Sequence, residues 1–340
     1  MNKLKEMILR NSVMVVMLIL IVVFSFMSPY FLTWGNFVNI LNQNSYFIIA
    51  AVGLGILMIS GGIDLSVANQ MGLMGVLIAI AIIEKGMNPI VCMVLGVLIG
   101  TLLGFINGML ITRIKGVFPL ILTIAMGNVY NGLSFMISGA KSYRPFPDSF
   151  RYLATHGIFG LNYDLILAIV ILVAAEFMLK KTYLGRKIYA TGGNKDAARL
   201  SGVNIDAVQL FAYSLCGLLF GIAGMDLIAK SNSVSSSTLG SSGVAFTCMT
   251  AAIIGGISFI GGKGSMFGLI AGVFVIQVLG NGMQLAGWGT YLQYVVQGII
   301  LILALSFDAI KYSLSKKGTR TPAGAKGSPT GEPEKSTESK

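Results

Sequence analysis

The chain has 340 residues, 55% of them hydrophobic and only 11% charged, and its mean hydropathy is +0.80. A soluble domain carries about a quarter charged residues, so the composition excludes an ordinary soluble protein and makes the lipid bilayer the expected solvent. The net charge of +11 would suit nucleic acid, but its placement, followed below, does not, and no nucleic-acid partner is expected.

Apolar windows long enough to cross a bilayer core, about 20 residues each, lie near 12–33, 37–60, 65–83, 89–112, 117–138, 162–180, 207–229, 243–260, 265–283 and 288–308. The expected fold is all-α: a polytopic membrane protein of about ten transmembrane helices over 12–310. Residues 1–11 form a basic N-terminus with Lys3, Lys5 and Arg10. The first window runs past Phe24 without a small-residue cleavage site and reads as a retained span. "SGGIDLS" joins the second and third windows; Gly61 and Gly62 allow a helix break, and Asp64 can cap the next helix. Two readings stand there, a plain turn at the inner interface and a gate built on broken helices. Arg113 and Lys115 separate the fourth and fifth windows. The aromatic, proline-bearing segment 139–161 reads as an interfacial loop or short surface helix.

A charged loop at 181–206 then interrupts the apolar chain. Within it Asn194 can cap a helix, Asp196 suits a first turn and Gly202 suits a stop. "KDAARLS" makes roughly two turns, with Ala197, Ala198 and Leu200 as a small apolar face and Arg199 as a charged one. Two turns are not stable alone in water, so the helix packs either on its own bundle or on a partner. "GGKGS" at Gly261–Ser265 fails as a phosphate loop, because Ile257 stands where the first glycine belongs and Gly264 where Ser or Thr belongs; it reads as a tight turn, and the chain is expected to hold no ATP site. Asp226 and Lys230 lie one helical turn apart and read as an ion pair. The tail 311–340 has no apolar periodicity and reads as disordered. On this count all Lys and Arg except Lys85, Lys141, Arg144, Arg151 and Lys230 fall on one side, which makes that side, with both termini, cytoplasmic.

Two Gly-rich helices close alike, in Asn107-Gly108-Met109 and Asn281-Gly282-Met283. An inverted repeat of helices 2–5 and 7–10 explains this, and so does chance likeness between Gly-rich spans. Cys92, Cys216 and Cys248 lie scattered in apolar runs and His156 is the single histidine, so neither a metal site nor a catalytic centre is expected.

Four stretches carry a resemblance: "GGIDLSV" at Gly61–Val67, "GRKIYATGGNKDAARLSGVN" at Gly185–Asn204, "AAIIGGISFIGGKGSMFG" at Ala251–Gly268, and Asn281–Met283. Together the sequence resembles the permease subunit of bacterial monosaccharide ABC importers of the ribose, xylose and arabinose type, over about Gly61 to Asp308. The resemblance implies a vitamin B12-importer-like (type II) permease fold in a bacterial plasma membrane. It implies a coupling helix near 194–202, carried by Gly193, Asn194, Ala197, Ala198, Arg199, Leu200 and Gly202, that docks on a separate ATP-binding subunit holding ATP and Mg. It further implies an extracytoplasmic sugar-binding protein and a second permease copy or paralogue, with a monosaccharide or related small polyol as cargo. The chain departs from the family at Ala245-Phe246-Thr247, where Glu-Leu-Asp is usual, and at Asn131, at or near an arginine position. Thr123, Asn128, Tyr130 and Asn131 in the fifth window, and Tyr291, Gln293 and Gln297 in the tenth, supply the amide, hydroxyl and aromatic groups expected of a sugar path. The competing class is an ion-coupled secondary transporter of a small polar solute, which needs a midplane acid or histidine chain that the windows do not offer.

Overall fold

A computed structural model describes residues 12–114, 116–236 and 243–318. The N-terminal segment 1–11, Lys115 and residues 319–340 of the expected tail lie outside the described residues.

Helix α1 (Ser12–Met27) opens the bundle. The second window is two helices, α2 (Trp34–Gln43) and α3 (Ser45–Ile59), bent by 47° at Asn44. Next come α4 (Val67–Ala79), which ends in a π-helical turn over Ile80–Glu84, then α5 (Pro89–Arg113) and α6 (Pro119–Ser138). The segment expected at the interface forms β1 (Ser142–Tyr143), an amphipathic α7 (Asp148–Thr155) that buries Phe150 and Ala154, and the β2–β3 hairpin (Gly157–Ile158, Leu161–Asn162). Helix α8 (Tyr163–Lys181) leads into α9 (Tyr183–Gly193) and α10 (Lys195–Leu200). The chain returns as α11 (Ile205–Ser231) and β4 (Val234–Ser235), which pairs antiparallel with β1. It finishes with α12 (Val244–Ile254), α13 (Met266–Leu285) and α14 (Thr290–Gly318).

Each apolar window holds a helix. Five are long and apolar enough to cross a membrane, six if the bent α2–α3 pair is one span. Helix α8 fails that test through Asp164, Glu176, Lys180 and Lys181, and α1, α12 and α14 are shorter apolar helices over their described residues.

Every residue of α3 except Tyr46 is buried. A helix apolar on all sides belongs at the centre of a bundle, and α3 packs there against α8, α11, α12 and α13. Helices α5 and α11 make the tightest pair. Gly96, Gly100, Gly104 and Gly108 recur every fourth residue on α5; Gly100 and Gly104 meet Gly217 and Gly221 on α11, Gly96 takes the Met225 side chain and Gly108 packs on Tyr213 and Leu210, and a Cβ on Gly104 would lie 2.8 Å from the Gly217 Cα. Small residues at this spacing let membrane helices touch backbone to backbone. Val94, Leu98, Val170 and Phe177 face outward, as lipid-exposed side chains do.

Candidate functional site

The 181–206 loop is built, not loose. The Thr182 hydroxyl caps α9 by accepting from the Gly185 N–H at 3.2 Å, and Ile188 and Thr191 are buried. Asn194 caps α10, its carbonyl oxygen accepting from the Ala197 N–H at 3.0 Å. Gly202 ends α10 in the left-handed region at φ +81°. The N–H groups of Gly202 and Val203 fold back onto the carbonyls of Arg199 and Ala198, 3.0 Å each, the paired bonds of a glycine-terminated helix. Ala198 is buried, whereas Gly193, Asn194, Ala197, Arg199 and Gly202 are exposed and Leu200 is 90% exposed. The three apolar residues therefore do not share one face. At about 100° per residue, Ala198 and Leu200 point in nearly opposite directions, so Ala198 seats the helix and Leu200 points away from the bundle.

Three Gly-Gly pairs lock this element to the bundle. Gly61–Gly62 follows α3, Gly192–Gly193 closes α9, and Gly261–Gly262 turns between α12 and α13. The Gly262 N–H donates to the Ile59 carbonyl at 2.9 Å. A Cβ on Gly192 would collide with that same Ile59 carbonyl and lie 2.6 Å from the Gly262 nitrogen, and one on Gly262 would lie 2.5 Å from the Gly193 Cα. Gly61, Gly261, Gly262 and Gly264 all have positive φ, consistent with "GGKGS" as a tight turn. Nearby, the Tyr189 hydroxyl donates to the Gly264 carbonyl at 2.7 Å, and Glu176 of α8, paired with Lys180, accepts from the Met266 N–H at the start of α13 at 2.7 Å.

Above the α3–α4 turn lies a buried polar network. The Asp64 carboxylate is 1% exposed and has no ionic partner among the described residues. Four donors hold it: the Ser66 N–H (2.8 Å) and hydroxyl (2.6 Å), Gln70 Nε2 (3.1 Å) and Asn107 Nδ2 (2.9 Å). Ser66, not Asp64, stands at the N-cap of α4; the aspartate reaches forward two residues to it. Tyr130 donates to Asn107 Oδ1 at 2.8 Å, and Thr123 accepts from the Leu65 N–H at 3.3 Å. Both are thus committed to helix contacts. Asn128 is exposed on α6 and Asn131 half-buried, and neither side chain has a partner among the described residues.

The opposite end of the bundle holds a cavity of about 670 Å³. Its wall is a set of amide stripes at helical spacing: Asn36, Asn39 and Gln43 on α2; Gln277, Asn281 and Gln284 on α13; Gln293 and Gln297 on α14. Asn36 and Asn281 bond to each other both ways, at 2.9 and 3.0 Å. Tyr46 and Tyr294 add rings, while Tyr291 is 85% exposed and outside the lining. The seven path residues expected from the sequence therefore divide among an internal network, the open face of α6, the cavity and the surface. Reading α2 and α13 for amides, not only α6 and α14, would have shown the missed stripes.

Lys230 also lines this cavity. Its ammonium lies 2.5 Å from Asp164 Oδ2 and 3.7 Å from Asp226 Oδ2, and it contacts the Ser45 hydroxyl and the Asn42 carbonyl. Ser45 donates to Asp164 at 2.8 Å and is also within bonding reach of Asp226. The expected Asp226–Lys230 pair is present, but the nearer acid is Asp164, which starts α8.

An apolar helical bundle with an exposed, capped helix at one end and a polar cavity at the other has the layout of a multi-pass membrane permease. Residues 36–305 match the family described as branched-chain amino acid transport system / permease component, and the chain belongs to that family. It is 31% identical to the ribose import permease protein of Escherichia coli (strain K12), over 89% of this chain and 95% of the relative. It is 32% identical to the galactose/methyl galactoside import permease protein of Haemophilus influenzae, over 93% and 98%, and 32% identical to the D-allose transport system permease protein of Escherichia coli (strain K12), over 87% and 90%. No solved structure matches. The resemblance drawn from the four motifs is the one these comparisons return.

Proposed function

We propose that the chain is the transmembrane subunit of an ATP-driven importer that carries a monosaccharide or related small polyol, and that α10 is its coupling helix. One observation carries the reading: in a permease family, a two-turn helix anchored by Ala198 and a glycine junction holds Leu200 and Arg199 out into solvent. An arginine held out on an anchored helix, with an apolar side chain beside it, is suited to a pocket on another protein. On this reading all ten windows cross the membrane, in a type II arrangement with inverted repeats and both termini cytoplasmic in a bacterial plasma membrane. ATP and Mg belong to a separate ATPase. The open face of α6, with Asn128 and Asn131 unpartnered among the described residues, turns toward a second copy or paralogue, and an extracytoplasmic binding protein delivers the sugar.

The test is co-purification from gently solubilised native membranes, with tagged wild type and Arg199→Glu side by side. The expected result is an ATPase bearing a phosphate-binding glycine loop that is retained by wild type and lost by the variant, with both permeases equally abundant. An ATPase held equally by both removes α10 from the docking role. No ATPase in any of several detergents turns the reading toward an ion-coupled carrier, with Asp64, the buried acid lacking an ionic partner among the described residues, as the first residue to replace.

A further inference from the structure

The amide-lined cavity between α2, α13 and α14 is not explained by helix packing. We propose that it is a holding site for a neutral, polyhydroxylated solute inside a single copy of the chain, an inference that rests on the importer reading above.

Gln277, Gln284 and Gln297 line the cavity with no side-chain partner among the described residues. Amides carried by membrane helices normally bond across to a neighbouring helix. Gln277 and Gln297 are half-buried and Gln284 exposed, so all three face the open cavity, where water solvates them until a solute takes its place. Each amide donates and accepts, as each hydroxyl of a polyol does, so the wall matches a sugar without needing charge. An anionic solute would need a free cation. The one cation among the described lining residues, Lys230, is already held by Asp164 and Asp226, so it is not free to pair with an anion. Tyr46 and Tyr294 offer flat apolar faces for C–H surfaces. The volume of about 670 Å³ falls within the roughly 300–1,000 Å³ of small-molecule sites. The reciprocal Asn36–Asn281 pair ties α2 to α13 through one donor and one acceptor on each side. A vicinal diol presents that same pattern, so a sugar can replace the contact and separate the two helices.

The test uses the purified full chain carrying Gln284→Cys. Cys92, Cys216 and Cys248 are buried, so the new thiol is the reactive one. Maleimide labelling is timed with a panel of neutral aldopentoses and aldohexoses, and with the matching aldonates. The expected result is that at least one neutral aldose slows labelling several-fold and its aldonate does not. Gln277→Leu and Gln297→Leu should each weaken that protection by about fivefold, the effect of one lost neutral hydrogen bond. Gln277→Asn and Gln297→Asn, which keep a polar wall, serve where leucine prevents folding. Protection by no aldose, or equal protection by aldonates, overturns the proposal. ATP-driven uptake in proteoliposomes that also hold the co-purified ATPase and the binding protein separates the two readings. Protection without uptake supports the cavity and sinks the importer, whereas uptake without protection sinks the cavity.

Discussion

Lys230 serves two carboxylates at once, and the geometry ranks them. Its ammonium is 2.5 Å from Asp164 and 3.7 Å from Asp226, and all three side chains are largely buried. Removing the cation leaves two uncompensated buried acids, so Lys230→Met should cost about 3–5 kcal/mol and lower the Tm in detergent markedly. Asp226→Asn should be far milder, because it leaves one acid facing one base at the shorter distance. Asp164→Asn should fall between them. A thermal series in which Asp226→Asn is the worst of the three would reverse this ranking. The pairing of Asp226 with Lys230 was legible because it lies one helical turn along a single helix. Asp164 was not, because it reaches the same ammonium from another helix, and no local pattern encodes that distance. Asp64 shows the same limit: its place before a helix was readable, and Gln70 reaches it from the next turn of α4, but the bond from Asn107 depends on α5 lying across the turn.

Helix α10 and its neighbour α9 divide what is local from what is not. Asn194 and Gly202 act within their own few residues, so the cap and the stop could be read directly from "NKDAARLSG". Helix α9 was hidden because Arg186 and Lys187 made its stretch look like solvated loop. It forms where Gly185 packs onto the backbone end of α8, with Ile188 buried beneath it. The junction of glycine pairs was equally hidden, since its members come from three distant segments. It makes a paired prediction. Gly192→Ala puts a methyl group into the Ile59 carbonyl, whereas Gly193→Ala meets nothing within 4 Å. Overpacking of this kind costs ~1–3 kcal/mol, so Gly192→Ala should lower the Tm and depress ATP-coupled uptake while Gly193→Ala leaves the Tm near wild type. Equal Tm values for the two variants would mean that the junction is slack.

At the scale of the whole molecule, the bilayer made the sequence readable. Apolar run length is dictated by membrane thickness, which is why each expected window holds a helix even where α2 and α3 bend apart. Sidedness has a different source, the distribution of Lys and Arg, and it is open to direct measurement. Helix α11 connects the two ends: from Ile205, beside the coupling element, to Leu227, in the cavity wall, it rises roughly 33 Å at ~1.5 Å per residue. Leu200 and Tyr291, 90% and 85% exposed, stand at these opposite ends, so each can carry a reporter thiol. Because Cys92, Cys216 and Cys248 are buried, background labelling should be low. In intact cells Tyr291→Cys should react with a membrane-impermeant maleimide, and Leu200→Cys should react only after permeabilisation. The opposite pattern would invert the topology and put the cavity on the cytoplasmic side, leaving α10 nowhere to meet an ATPase. Labelling of both in intact cells would place the two ends on one face of the membrane, which α11 cannot satisfy if it spans.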